Sequence, residues 1–431
     1  MPLTYRGLFR TPEFTPMFAG TSASIGASTL SSLALGTLVY ADTHSPLLSA
    51  LSMFGPSLVQ VIGAATLLSA ADRLPPRAAT AALALLFGLG TAVLAIPGLP
   101  IWLLFTVIMT VGLAGSVGGG VRYGLLSEIL PGEGYLLGRS VLNMAVGTMQ
   151  IFGFAAGGAL LTVLSPRGTL LAGAVLYLAT AAVSWFGLTP RPPRAAGRPS
   201  IAVTWRTNAR LWSSPPRRYV YLALWLPNGL IVGCESLFVA YEPRHAGLLF
   251  AFAAGGMLIG DTVAGRFLPG RWRRRLDAPL RLLLAAPYLV FASHPALPVA
   301  LAAVTLASIG YSATLLLQER LMALTPEDVH GQALGLHAAG MLTMQGVGAA
   351  LAGAVAQHTS PALAMAAMAV ASVTVTVLLA PGLRGDPQAA DASRDVSAAD
   401  TAEGNVRPET TEIGHHENPK SESSLVSDEL R

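Results

Sequence analysis

Long apolar runs dominate this chain and recur twelve times, six between residues 14 and 188 and six between residues 219 and 380. Most hold about 20 or more residues, the length an α-helix needs to cross a hydrocarbon core of roughly 30 Å. Runs this long, with no alternation of apolar and polar residues, exclude barrel strands and leave helices as the spanning element. Composition agrees: 12% of the residues are charged, against about 25% in a soluble domain that must hold water over its whole surface. The first run, Phe14–Tyr40, is too long for the apolar core of a signal peptide and leads straight into the next. The expected fold class is an all-α membrane protein with about twelve transmembrane helices.

The turns between runs alternate in charge. One set holds Arg6 and Arg10, Arg73 and Arg77, Arg139, the Arg191–Arg218 linker, Arg266–Arg275, and Arg320; the other has only Arg167 and Arg244 as basic residues. Cytoplasmic loops retain Lys and Arg, so the arginine-rich side and both termini are expected in the cytoplasm of a plasma-membrane protein. Arginines placed beside the spans also argue against a nucleic-acid partner. The lone cysteine, Cys234, lies in an apolar run, excludes a disulfide framework and is expected to serve packing.

Composition divides the chain further. Residues 1–188 and 217–382 each hold six runs, separated by a basic, Pro-rich linker over 189–216. The linker reads as a flexible connector whose arginines have lipid headgroups within reach. Eleven of the 23 acids fall in the segment 383–431, which cannot bury enough apolar surface to fold and is expected to be a disordered acidic cytoplasmic tail.

The halves also resemble each other. At an offset of 195 residues, Thr148-Met149-Gln150 matches Thr343-Met344-Gln345, Gly153 matches Gly348, and Gly158 matches Gly353. With a shift of two, Gly63 and Arg73 match Gly256 and Arg266. A duplicated six-helix half is a transporter design, which points to two pseudo-symmetric six-helix bundles around a midplane cavity.

On these residues the chain resembles the major facilitator superfamily (MFS) of transporters over Phe14–Ala380. Ala71-Asp72-Arg73-Leu74-Pro75-Pro76-Arg77 keeps part of that family's motif between helices 2 and 3, with its glycines replaced by Leu68 and Pro75. The resemblance implies a gating latch: Asp72 facing a helix N-terminus, Arg73 and Arg77 at the inner ends, and Glu128 as an acid for Arg73. Ordinary positive-inside charge is the alternative. Gly153-Phe154-Ala155-Ala156-Gly157-Gly158 keeps the glycine spacing of an export-family motif but has Phe in place of its Pro. Those glycines, with Gly348 and Gly353, equally serve close helix packing. The stretch Leu137–Asn143 is similar to macrolide-type exporters, so efflux by antiport is the implied activity.

Ionisable groups inside a membrane are expensive and default to functional candidates. Glu235 and Asp261 are the candidates for proton coupling, against a hydrated acid near the outer interface and a partner of Arg266, respectively. Arg122 is a candidate for binding an anionic group, or else snorkels to the inner surface. Asn143, Gln150, His337 and Gln345 are candidates for hydrogen-bonding substrate in the cavity; interhelical hydrogen bonding is their alternative. No phosphate loop, metal-ligand cluster or catalytic set stands in the sequence, so neither a cofactor nor a metal nor an enzyme is expected. The expected partners are a small-molecule substrate, protons and membrane lipids, acting on a monomer. Uptake of a nutrient or signalling molecule, and a transport-inactive scaffold or sensor, remain as alternatives.

Overall fold

The computed structural model describes residues 5–67, 74–130, 133–193, 201–326 and 329–383. Its helices include twelve spans long and apolar enough to cross a membrane. After a short α1 (Tyr5–Arg10), each span of the first half is one unbroken α-helix: α2 (Phe14–Thr43), α3 (Pro46–Leu67), α4 (Pro76–Leu94), α5 (Ile101–Ile129), α6 (Glu133–Val163) and α7 (Pro166–Gly187). Between the halves lies α8 (Ile201–Ser213).

The second half is built differently. The helix α9 (Pro215–Ser236) breaks at Leu237 before α10 (Phe238–Tyr241), and α11 (Ala246–Thr262) runs into a π-helical turn, Val263–Phe267. Likewise α12 (Gly270–Ala285) tightens into a 3-10 stretch, Ala286–Ser293, and α13 (Leu297–Gly310) breaks at Tyr311 before α14 (Ala313–Ala323). Only α15 (His330–His358) and α16 (Pro361–Leu383) are continuous spans there. Prolines mark several helix starts, as at Pro76, Pro166 and Pro215, where the missing N–H has no helical partner to lose.

One contact pattern appears twice. In the first half α2 packs on α6 and α7, α4 on α7, and α3 on α5. In the second, α9 packs on α15 and α16, the 3-10 stretch on α16, and α11 on α13. The bundles then meet along two seams, α3 against α15 and α6 against α11. This is the pair of pseudo-symmetric six-helix bundles expected from the repeat.

Matched glycines occupy matched contacts. Gly153 packs on Gly26 and Thr29 of α2, and its counterpart Gly348 on the Gly229 backbone of α9. A turn and a half further on, Gly158 meets Gly247 of α11 and Gly353 meets Leu47 of α3, one on each seam. Gly63 abuts Ser116 of α5, as Gly256 abuts Ser308 of α13. Without a hydrophobic drive between helices in lipid, such close approach supplies the dispersion contacts that hold the bundles.

The side bearing α8 and the starts of α2 and α9 is the linker face, and the opposite side is the far face. On the linker face Arg191 clamps Glu13 through two hydrogen bonds, 2.6 and 3.0 Å, and reaches Glu128 of α5 at 3.4 Å. Thr189 adds a third bond to Glu13 at 2.7 Å. Burial pushes the Glu13 carboxyl up, but the Arg191 and Thr189 hydrogen bonds and the Arg191 charge outweigh it and hold the group below its ordinary range.

The linker departs from the flexible connector expected of it. Across 201–213 it is helical, because an apolar edge finds a surface to bury against. Leu211 is buried, and the Trp212 ring stacks on Trp225 of α9 at 5.6 Å. Gln332 of α15 donates to Asn208 Oδ1 at 2.6 Å, fastening α8 to the second half. Asp72, Arg73 and the acidic tail lie outside the described residues.

Candidate functional site

Glu235, Asp261, Tyr288 and Tyr311 each stand at one of the four places where second-half spans depart from α-helix. Glu235 sits in the last turn of α9 beside the Leu237 break, and is 7% exposed. Asp261 stands at the end of α11, just before the π turn. Tyr288 belongs to the 3-10 stretch, and Tyr311 fills the gap between α13 and α14. Broken helices free backbone groups within a span, which is how transport proteins build ion sites.

These groups are neighbours. The Tyr288 hydroxyl lies against the Glu235 carboxyl, short of a well-formed hydrogen bond. Tyr311 stands within electrostatic reach of both Asp261 and Glu235. By helix direction, Glu235 is nearest the far face, Tyr311 lies midway, and Asp261 is toward the linker face. Glu235 is thus a buried acid, not a hydrated one at the outer boundary. Asp261 forms no ion pair with Arg266, and its Oδ1 is buried without a hydrogen-bond partner. Tyr288 and Tyr311 escaped the sequence reading, since tyrosine in an apolar run carries no signal of what it faces.

On α15, the His337 ring meets α14 while its backbone oxygen and the Met341 sulfur meet α9. The His337 backbone oxygen accepts from Trp225 Nε1 at 3.1 Å, its ring Nε2 meets Gln318 at 3.1 Å, and Met341 Sδ accepts from Asn228 at 2.7 Å. His337 is buried, and that face of α15 is occupied by packing. Gln345 and its counterpart Gln150 are partly exposed, and neither makes a side-chain hydrogen bond among the described residues. Asn143 is exposed on α6 and accepts from the Tyr123 hydroxyl at 3.2 Å. Arg122, beside Tyr123, lies with its guanidinium 5.0 Å from that ring.

Of the latch candidates within the described residues, Arg77 lies over Trp185 of α7 at 4.5 Å, and Glu128 pairs with Arg191. Gly157 faces Leu30 and Leu33 of α2. A cleft of about 660 Å³ opens on the far face along the α6–α11 seam, walled by Gly158, Thr162, Arg244, His245 and Leu248, and it contains none of the cavity candidates. An ion pair within a span was missed: Arg281, almost fully buried on α12, holds Asp277 at 2.9 Å. Its signal was an acid and a base four residues apart within one apolar run.

Several cross-bundle contacts lie toward the far face. Ser45 donates to Gln357 at 2.8 Å, Phe154 stacks on Phe250 at 4.7 Å, and α10 packs on α2 and α3. Nearer the middle, Leu58 meets Gly346 and Leu258 approaches Gly147.

Comparison with solved structures places this arrangement. The nucleoside transporter NupG superposes with a TM-score of 0.71 at 11% identity, over 86% of this chain and 100% of its own. A POT family transporter in complex with 5-aminolevulinic acid gives 0.68 at 10% identity, over 89% and 99%. A bacterial homolog of the human lysosomal transporter Spinster, inward-facing and unoccupied, gives 0.64 at 15% identity, over 87% and 96%. At these identities the likeness is one of fold. Among curated protein sequences, none matches the chain. The family model described as Major Facilitator Superfamily matches residues 17–317. With its paired six-helix bundles and two seams, the chain belongs to the Major Facilitator Superfamily, as one of its transporters of small molecules.

Proposed function

We propose that this transporter is a proton-driven exporter of a small, partly hydrophobic molecule, working by alternating access between bundles formed by residues 1–188 and 217–382. The observation that carries the proton claim is the line Glu235–Tyr311–Asp261, running through the second bundle at its helix breaks. A carboxyl withdrawn from water accepts a proton readily, and two carboxyls at different depths divide the crossing into shorter steps. The arginine-rich linker face is cytoplasmic in this reading, with both termini. The far-face contacts then describe a carrier closed to the outside. Gln150, Gln345, Asn143 and Arg122 are the polar groups offered to substrate. Asp72, Arg73, Arg77 and Glu128 hold the inner ends when the linker face closes.

Uptake of candidate substrates into inverted vesicles tests both direction and coupling. An imposed pH gradient, acidic inside, drives accumulation there and collapse of the gradient abolishes it. Flux that ignores the gradient contradicts proton drive; accumulation only in right-side-out vesicles contradicts export.

A further inference from the structure

A basic bracket stands where α5 and α6 converge toward the linker face. The Arg122 guanidinium carbon lies 5.0 Å from the centroid of the Tyr123 ring, and that of Arg139 lies 5.3 Å from the same centroid. Tyr123 donates to Asn143 Oδ1 at 3.2 Å, which ties the ring of α5 to α6 beside both cations. Neither guanidinium forms an ion pair among the described residues, and Arg122 Nε is buried without a hydrogen-bond partner.

Two like charges gathered on one ring repel each other. The aromatic face attracts each of them, yet supplies no acceptor for their N–H groups. Asn143 spends its oxygen on Tyr123, which leaves its amide N–H₂ as a donor. Two guanidinium groups and a side-chain amide are therefore gathered around one ring, and among the described residues no carboxylate pairs with either guanidinium. Location adds a reason: Asn143 is exposed, one turn to the linker side of Gly147, which faces Leu258 of α11 across the seam. The bracket thus stands toward the linker end of the α6–α11 seam.

We propose that Arg122, Arg139 and Asn143 form a binding site for an oxyanion, a carboxylate or phosphate carried by the transported molecule. The site rests on the transport reading above and narrows its substrate to an anion. Arg122 offers the planar fork that matches such a group in two-point contact, Arg139 a second charge from the exposed side, and Asn143 a neutral donor that sets orientation.

The test uses the full chain in phosphatidylcholine nanodiscs, titrated calorimetrically with inorganic phosphate, with acetate, and with choline as the cation control. Phosphate and acetate bind and choline does not. Arg122→Gln and Arg139→Gln each weaken phosphate by about tenfold or more, the loss expected for a charged hydrogen bond. Unchanged phosphate affinity in both variants overturns the site. Arg139 is exposed, so its variant decides the matter even where Arg122→Gln fails to fold. Part of the phosphatidylcholine is then replaced by phosphatidylglycerol. Phosphate binding that persists supports a soluble anion, whereas its loss identifies a lipid headgroup as the occupant and overturns the claim about substrate. Phosphate binding without proton-dependent flux leaves the site standing and removes the exporter. Proton-driven flux of a neutral substrate that is indifferent to Arg122→Gln does the reverse.

Discussion

Gly158 of α6 and Gly247 of α11 meet backbone against backbone on the far half of one seam, where a methyl group on Gly247 would stand 2.6 Å from the Gly158 Cα. The seam closes only because both positions lack a side chain. Gly247→Leu therefore wedges the bundles apart there. Overpacking costs about 1–3 kcal/mol, enough to move a two-state equilibrium by about fivefold to a hundredfold away from the far-closed state. Flux in proteoliposomes is expected to fall correspondingly, with helical content by circular dichroism unchanged.

Within the second bundle the equivalent closeness serves stability. Gly348 lies against the Gly229 backbone, so Gly348→Ala forces α9 and α15 apart at a cost of about 1–3 kcal/mol. Gly335, on the same helix, faces open space. Gly335→Ala is expected to leave the thermal midpoint unchanged or slightly raised, since alanine favours the helix by up to about 1 kcal/mol. Melting of the two variants in one detergent compares them directly.

Much of this packing was legible in advance. Twelve spans follow from run length alone, and the offset of 195 residues paired Gly153 with Gly348 and Gly158 with Gly353 before any contact was known. Periodicity places a residue on a helix face but does not say which neighbour that face meets. For that reason His337 was legible as a polar group in a span, yet not as one whose ring meets Gln318 of α14. The neighbourhood of Glu235, Tyr288 and Tyr311 joins three spans far apart in sequence, and the helix breaks that gather them leave only weak marks such as Pro287. The helix α8 was missed because its apolar edge is short and the Pro-rich residues before it read as connector.

Acid stability is expected to depend on Glu13. Its carboxyl is held below the ordinary value of 4.5, so the charged form is favoured by folding. That stabilisation is complete above the unfolded value and is lost as pH falls through the lower folded one. Arg191→Gln should lower the thermal midpoint at neutral pH, and its gap from the native chain should narrow once pH drops below 4.5. A gap independent of pH would show that Arg191 acts through packing.

Neutralising the buried acids separates carrying a proton from holding the fold. Glu235→Gln keeps shape and hydrogen-bonding capacity but cannot release a proton, and Asp261→Asn does likewise. Each is expected to abolish accumulation driven by a pH gradient while leaving substrate exchange in its absence within about twofold, the pattern of lost coupling rather than lost binding. Tyr311→Phe should slow gradient-driven flux without altering substrate affinity.

Alternation itself is the central claim, and paired spin labels read it most directly. One pair, at Val163 and Leu248, spans the far end of the α6–α11 seam; the other, at Ser140 and Phe267, spans its linker end, and all four side chains are exposed. On acidification of proteoliposomes containing the full chain, the far-face distance should lengthen as the linker-face distance shortens, and Glu235→Gln should lock one of the two arrangements. Distances that change together, or that do not respond to protons at all, would contradict the account.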